Sequence, residues 1–238
     1  MDRQHRHDLK HDKFVDEIGA LSARAQQNQR LLYSIAGGIL AVAVIVYGIY
    51  FYRSSREEKA QQALAAAIET ADATVETAQQ PNQQPQPGPK FKTEQERTAA
   101  SERMFKDIAA KHGGTDAADV GSLYLARIAA SKGDLAAAKK MLTEFIDDHG
   151  DHVLAGSARY SLYQLRIDSG EAAQVAAELN AEIGKSEPVL PGDTLLILLA
   201  HAYDVQGNAA KSREAYRRIT TEFPDSPYAV EAARRAGA

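Results

Sequence analysis

The sequence contains no cysteine, so disulfide bonds and thiolate chemistry are excluded. That absence places the chain in no particular compartment, because reducing and oxidising environments both tolerate it. No G-x-G-x-x-G, phosphate-binding loop, G-x-S-x-G or H-E-x-x-H occurs, which removes the signatures of nucleotide binding, serine hydrolysis and zinc proteolysis. An excess of positive charge is also missing, with 28 Lys and Arg against 32 Asp and Glu. The tail to Arg30 holds six basic and five acidic residues, leaving 22 and 27 for the rest. A mildly acidic body lacks the basic face that a nucleic-acid partner requires. From Lys92 onward there is no run of alternating β-branched residues, so no strand is expected there. No enzyme, cofactor, metal or small-molecule substrate is expected.

One stretch lacks charge altogether. Leu31 to Tyr52, LLYSIAGGILAVAVIVYGIYFY, has no Asp, Glu, Lys or Arg. At ~1.5 Å per residue a helix over it spans roughly 33 Å, enough for a hydrocarbon layer of ~30 Å. Its eleven Leu, Ile, Val and Phe residues favour insertion by about 3–7 kcal/mol before polar and glycine penalties. Tyr33 at one end and Tyr47, Tyr50 and Tyr52 at the other suit the headgroup region. A cleaved signal peptide has a shorter apolar core of ~7–15 residues and a small-residue cleavage site. The reading is therefore a retained transmembrane helix over 31–52. Lys13, Arg24 and Arg30 on one side balance Arg53, Arg56 and Lys59 on the other, so charge leaves its orientation open. Within the span, Ser34, Gly37, Gly38 and Ala41 form a small-residue patch where another membrane helix can approach closely.

The flanking segments follow from pattern. In the polar tail (1–30), Phe14, Ile18, Leu21 and Ala25 fall on one helical stripe, an interfacial or partner-binding helix or simply the start of the span. Residues 53–92 read as a helical stalk and a linker. Glu57 to Gln79 is rich in Ala, Glu and Gln, with an apolar stripe of Leu64, Ile68, Ala71 and Val75. This stretch extends the membrane helix as a stalk or forms the first helix of the following domain. Pro81, Pro85, Pro87 and Pro89 then make a semi-rigid connector.

Residues 93–238 read as one helical domain. Thr93 with Glu96 is a capping-box signature, and Gly113 and Gly114 close that helix. Thr115 opens the next, which Gly133 ends, and Asp134 opens a third running to about Asp148. The decisive feature is a period. Gly133, Gly170 and Gly207 lie 37 residues apart. Eight positions before them stand Leu125, Leu162 and Leu199; five after stand Ala138, Val175 and Ser212; nine after stand Leu142, Leu179 and Tyr216. A glycine in the left-handed region ends one helix and returns the chain antiparallel, so the leucine and the large residue meet across a hairpin. Hairpins repeated in this way stack into a solenoid, and the fold class is all-α.

The last unit, with Leu199, Ala200, Tyr203, Gly207, Ser212, Tyr216, Ile219 and Pro224, resembles a tetratricopeptide repeat. The unit with Leu125, Ala126, Ala129, Gly133, Ala138, Leu142 and Phe145 also fits. The middle unit departs from that pattern at Tyr163, Arg166 and Glu182, and Ser226–Ala236 reads as a closing helix. The layout as a whole, including HDKFVDEI in the tail, is similar to the ancillary subunit of the bacterial Sec translocon. That resemblance implies a cytoplasmic tail, a single pass through the bacterial inner membrane and a periplasmic repeat domain. It further implies a scaffold for the translocon, periplasmic chaperones or newly secreted chains. The alternative is a cytoplasm-facing adaptor in cell division or organelle organisation.

The working side of such a solenoid is the concave one, lined by the first helix of each hairpin. Six residues before each turn glycine stand Arg127, Gln164 and His201, with Tyr160, Ile197, Asp168 and Asp204 expected on the same protein-binding face. Two histidine clusters, His5/His7/His11 and Asp147/Asp148/His149/Asp151/His152, offer metal-ligand chemistry, but the first lies in the tail and the second in a connection between repeats.

Overall fold

A computed structural model of the protein describes residues 29–75 and 88–237. The tail stripe, the first histidine cluster and most of the Pro/Gln-rich connector lie outside those residues. The chain divides into two compact units, Met1–Ser55 and Arg56–Ala238.

The first unit carries most of the apolar helix. Helix α1 runs Gln29–Ala71, and its side chains from Tyr33 to Ser54 are exposed, among them Ile35, Ile39, Leu40 and Val44. It is long and apolar enough to cross a membrane.

In the second unit, the end of α1 turns amphipathic. Ala60, Leu64 and Ala67 are buried with Phe105, Ile108, Ala117 and Ala118 in one core. Of the two readings of this stretch, the packing is that of a first helix of the domain. The helix stops at Ala71, short of Gln79, and its buried stripe is Ala60, Leu64 and Ala67, with Ile68 and Ala71 of the expected stripe packing at the edge of the same core. Arg97 donates to the Ala73 carbonyl just beyond the helix end at 3.0 Å, and Val75 pairs with Phe91 in an isolated parallel bridge. The Glu57 carboxylate accepts the backbone N–H of Asp116 (3.0 Å) and of Ala117 (3.2 Å). A carboxylate is favoured there because the first amides of a helix have no internal partner and its dipole is positive at that end.

Eight further helices follow: α2 Glu94–His112, α3 Asp116–Ser131, α4 Leu135–Asp148, α5 Ala155–Arg166, α6 Ala172–Ile183, α7 Gly192–Val205, α8 Ala209–Glu222 and α9 Ala229–Ala236. Their starts are where the capping residues place them. Thr93, Thr115, Asp134 and Asn208 each accept a hydrogen bond from the backbone amide three residues on. Glu96 reaches back to the Lys92 amide at 3.0 Å. No strand is formed among the described residues.

Hairpins α3/α4, α5/α6 and α7/α8 turn at Gly133, Gly170 and Gly207, with φ of 82°, 97° and 72°. Side chains other than glycine rarely adopt that region. Ala138, Val175 and Ser212 are all buried, and so are Leu142, Leu179 and Tyr216. Leu199 is buried, while Leu125 and Leu162 are half-buried. Helix α9 closes the stack with Ala232 fully buried.

The middle hairpin keeps its register despite the unusual residues. Its turn, Ile167–Glu171, is a wider, π-type turn around Gly170. Arg166 forms a fork with Glu178, both N–O distances being 2.7 Å, and bonds Glu171 at 2.8 Å. Lys139 of the preceding hairpin reaches the same Glu171 at 2.7 Å. Glu182 is buried but accepts the Val189 amide at 2.7 Å and pairs with Lys185. Tyr163 packs on the core shared by the second and third hairpins. The departures from the repeat pattern are therefore satisfied polar contacts rather than misfits.

Two stability measurements follow. Leu199→Ala and Tyr216→Ala should each lower unfolding free energy in urea by about 2–5 kcal/mol, whereas Arg127→Ala should change it by less than ~0.5 kcal/mol. A fragment starting at residue 91 should be less stable than one starting at residue 56 by about 3–5 kcal/mol, because it uncovers the faces that Ala60, Leu64 and Ala67 bury. Equal urea midpoints would contradict the assigned core.

Candidate protein-binding face

The first helices of the hairpins, α3, α5 and α7, carry the residues singled out by register. His201 Nε2 lies 2.8 Å from Asp168 Oδ1, joining α7 to the turn that follows α5. Gln164 donates to the Tyr160 hydroxyl at 3.0 Å, one helical turn away. The structure thus brings Tyr160, Gln164, Asp168 and His201 together in two polar pairs. Tyr160 and Ile197 also pack against the core of the second and third hairpins. Asp204 is committed elsewhere: it accepts the Tyr216 hydroxyl at 3.1 Å and lies 3.9 Å from Arg235 of α9. Burial and the Asp204 carboxylate push the Tyr216 hydroxyl up to about 12. Arg127 is exposed and has no ion pair among the described residues.

Arg127 also borders two grooves. One, of about 360 Å³, runs between α3 and α5 over a floor of Leu123, Ala126, Leu142, Ala158 and Leu165. The other, of about 320 Å³, is lined by Asp72, Glu94, Arg97, Thr98, Ser101 and Tyr124. Reasoning from register singles out Arg127, Gln164 and Asp168 but misses the apolar floor. Its signal is a set of small residues, Ala126, Ala130, Ala158 and Ser161, facing one another across two hairpins.

The second histidine cluster serves packing. His149 and His152 lie against the Phe145 ring, with centroids 5.3 and 5.5 Å away. His149 approaches Asp119 at 3.4 Å, and burial raises the Asp119 carboxyl above its usual range. His152 Nδ1 accepts the Leu154 amide at 3.1 Å. No group of three His, Asp or Glu side chains is arranged to hold a metal among the described residues.

With the hairpins and their turns in view, comparison with known families is direct. A family model described as a tetratricopeptide repeat-like domain matches residues 28–188, about two thirds of the chain. The chain belongs to this family. A second model, described as a tetratricopeptide repeat, matches residues 195–226, which are α7, α8 and the turn between them. No curated protein matches the chain significantly. The tetratricopeptide repeat-like domain points to a protein–protein interaction scaffold, since such repeats present a continuous surface to partner chains.

The hairpin junction is sensitive to pH in a defined direction. Lys139 and Arg166 hold the Glu171 carboxyl below its ordinary value of 4.5. A depressed carboxylate contributes stability that is present above the unfolded value and is lost as pH falls through the folded one. In Lys139→Gln the loss of stability between pH 7 and pH 3 should be smaller than in the wild type, as measured by urea midpoints. An identical pH slope would show that Lys139 does not hold Glu171 ionised.

Proposed function

We propose that the protein is a single-span scaffold of the bacterial inner membrane that links the Sec translocon to periplasmic chaperones or newly secreted chains. Its tail lies in the cytoplasm and its repeat domain in the periplasm. The observation that carries the membrane part is α1, a helix long and apolar enough to cross a bilayer, whose apolar side chains between Tyr33 and Tyr52 are exposed. The family match begins at residue 28 and runs through this helix into the repeats, so helix and repeats belong to one unit of design. The resemblance of the whole layout to the translocon's ancillary subunit supports the choice of partners and the orientation. The protein-binding face is made of Arg127, Tyr160, Gln164, Ile197, His201 and Asp204, with Asp168 tying two of the helices together.

The membrane helix is also a contact in this proposal. Ser34, Gly37, Gly38 and Ala41 offer a shallow face on which a translocon helix can lie, since close backbone approach drives association in lipid. Among the described residues, and apart from the helix's own backbone, nothing lies within 4 Å of where a side chain at Gly37 or Gly38 would begin.

Alkaline phosphatase fused to the C-terminus tests the orientation, because that enzyme is active only after export. Activity is expected; an inactive fusion with an active cytoplasmic reporter would instead favour the adaptor facing the cytoplasm. Gly37→Leu with Gly38→Leu should abolish co-purification of the membrane partner while periplasmic partners stay bound. Unchanged co-purification of every partner would reduce the helix to an anchor.

A further inference from the structure

We propose that the groove between α3 and α5 is a docking site for an extended client segment carrying an aliphatic side chain next to an acidic one. The inference deepens the scaffold reading and rests on it. In the third hairpin, Leu195 and Leu198 are almost wholly buried in the core shared with the second hairpin. Thirty-seven positions earlier the second hairpin has Ala158 and Ser161. The other wall repeats the contrast, with Tyr163 and Ile167 of the second hairpin answered by Ala126 and Ala130 of the first. Four equivalent positions are thus smaller at one junction than at the next. Between the second and third hairpins the larger Ile167, Leu195 and Leu198 are buried, whereas between the first and second the smaller residues line a groove of about 360 Å³.

An open groove over Leu123, Leu142 and Leu165 forgoes packing that leucines at its walls would supply. An incoming aliphatic side chain recovers that burial. The charges at the rim select what accompanies it. Arg127 and Asp168 are the charged residues lining the groove. Asp168 is engaged by His201 at 2.8 Å, whereas Arg127 has no ion pair among the described residues. The charged group at the rim with no ion pair among the described residues is thus a guanidinium, which matches a carboxylate by a forked, charge-assisted hydrogen bond. Arg127 also lines the polar groove on the far side of α3. A chain that meets it can continue across the helix, so the acidic group is an internal Asp or Glu rather than a chain end. Ser157, Ser161 and Gln164 along the α5 wall can bond to the backbone of an extended segment.

The test uses the full chain in nanodiscs and labelled, end-capped nonapeptides in a Gly/Ser background, with binding read by fluorescence anisotropy. A central Leu-Glu pair should bind tightest, and Leu-Gln or Ala-Glu should bind about five- to tenfold more weakly. Arg127→Gln should erase the preference for Glu over Gln while keeping that for Leu over Ala. Ser161→Leu, which copies the third hairpin, should weaken every peptide without lowering the melting temperature. Equal affinity for Leu-Glu and Leu-Gln on the wild type would overturn the proposal. So would a dimer of the wild type that Ser161→Leu dissociates in sedimentation, which would make a second copy the occupant. A photoreactive residue at His201 separates the two levels. Partner crosslinks in cells without peptide selectivity would defeat the groove alone, and no crosslinks from that position or from Gln164 would defeat the scaffold reading with it.

Discussion

Everything in the repeat domain depends on a backbone constraint, the positive φ at Gly133, Gly170 and Gly207. A turn of this kind fixes where the returning helix lies, and therefore which residues meet. Once the turn is set, positions five and nine residues later are forced into the hairpin interior, and all six of them are buried. The same register puts Arg127, Gln164 and His201 at equivalent positions of successive first helices. Packing and the register of the polar residues are two consequences of a single conformational choice made by a residue without a side chain.

The hairpins were legible in the sequence because their determinants are local. Caps at Thr93, Thr115 and Asp134, turn glycines and apolar spacing all act within about ten residues of one another. The extent of the domain was not. An Ala/Gln/Glu-rich helix has the same pattern as a free stalk and as a packed first helix. What distinguishes them is contact with Phe105 and Ile108, some forty positions away. Glu57 is similar: its role is set by two amides that lie 59 and 60 residues downstream, and no short-range pattern announces it.

The polar face was partly legible. Register places Arg127, Gln164 and His201 at equivalent positions of successive hairpins, and the structure pairs His201 with Asp168. Register alone could not tell that Ile197 and Tyr160 lean into the core or that Asp204 turns to Tyr216 and Arg235. The groove escaped for a different reason. It is a volume that two hairpins fail to fill, and unfilled volume is a property of facing surfaces rather than of either strip of sequence. The departures of the middle unit at Arg166 and Glu182 likewise make sense only with Lys139, Glu178 and Lys185 in place.

The uneven filling of the junctions bears on cooperativity. The core of the second and third hairpins gathers large side chains such as Ile167, Leu179, Leu195 and Tyr216, whereas Ala126, Leu142, Phe145 and Ala158 form a separate, smaller core where the first hairpin meets the second. In a linear stack, stability is a sum of unit and nearest-neighbour contributions, and the sparsest interface opens first. Amides of α5 near Ala158 should therefore exchange with solvent sooner than those of α7 and α8, and the segment that opens first would be the one that walls the groove.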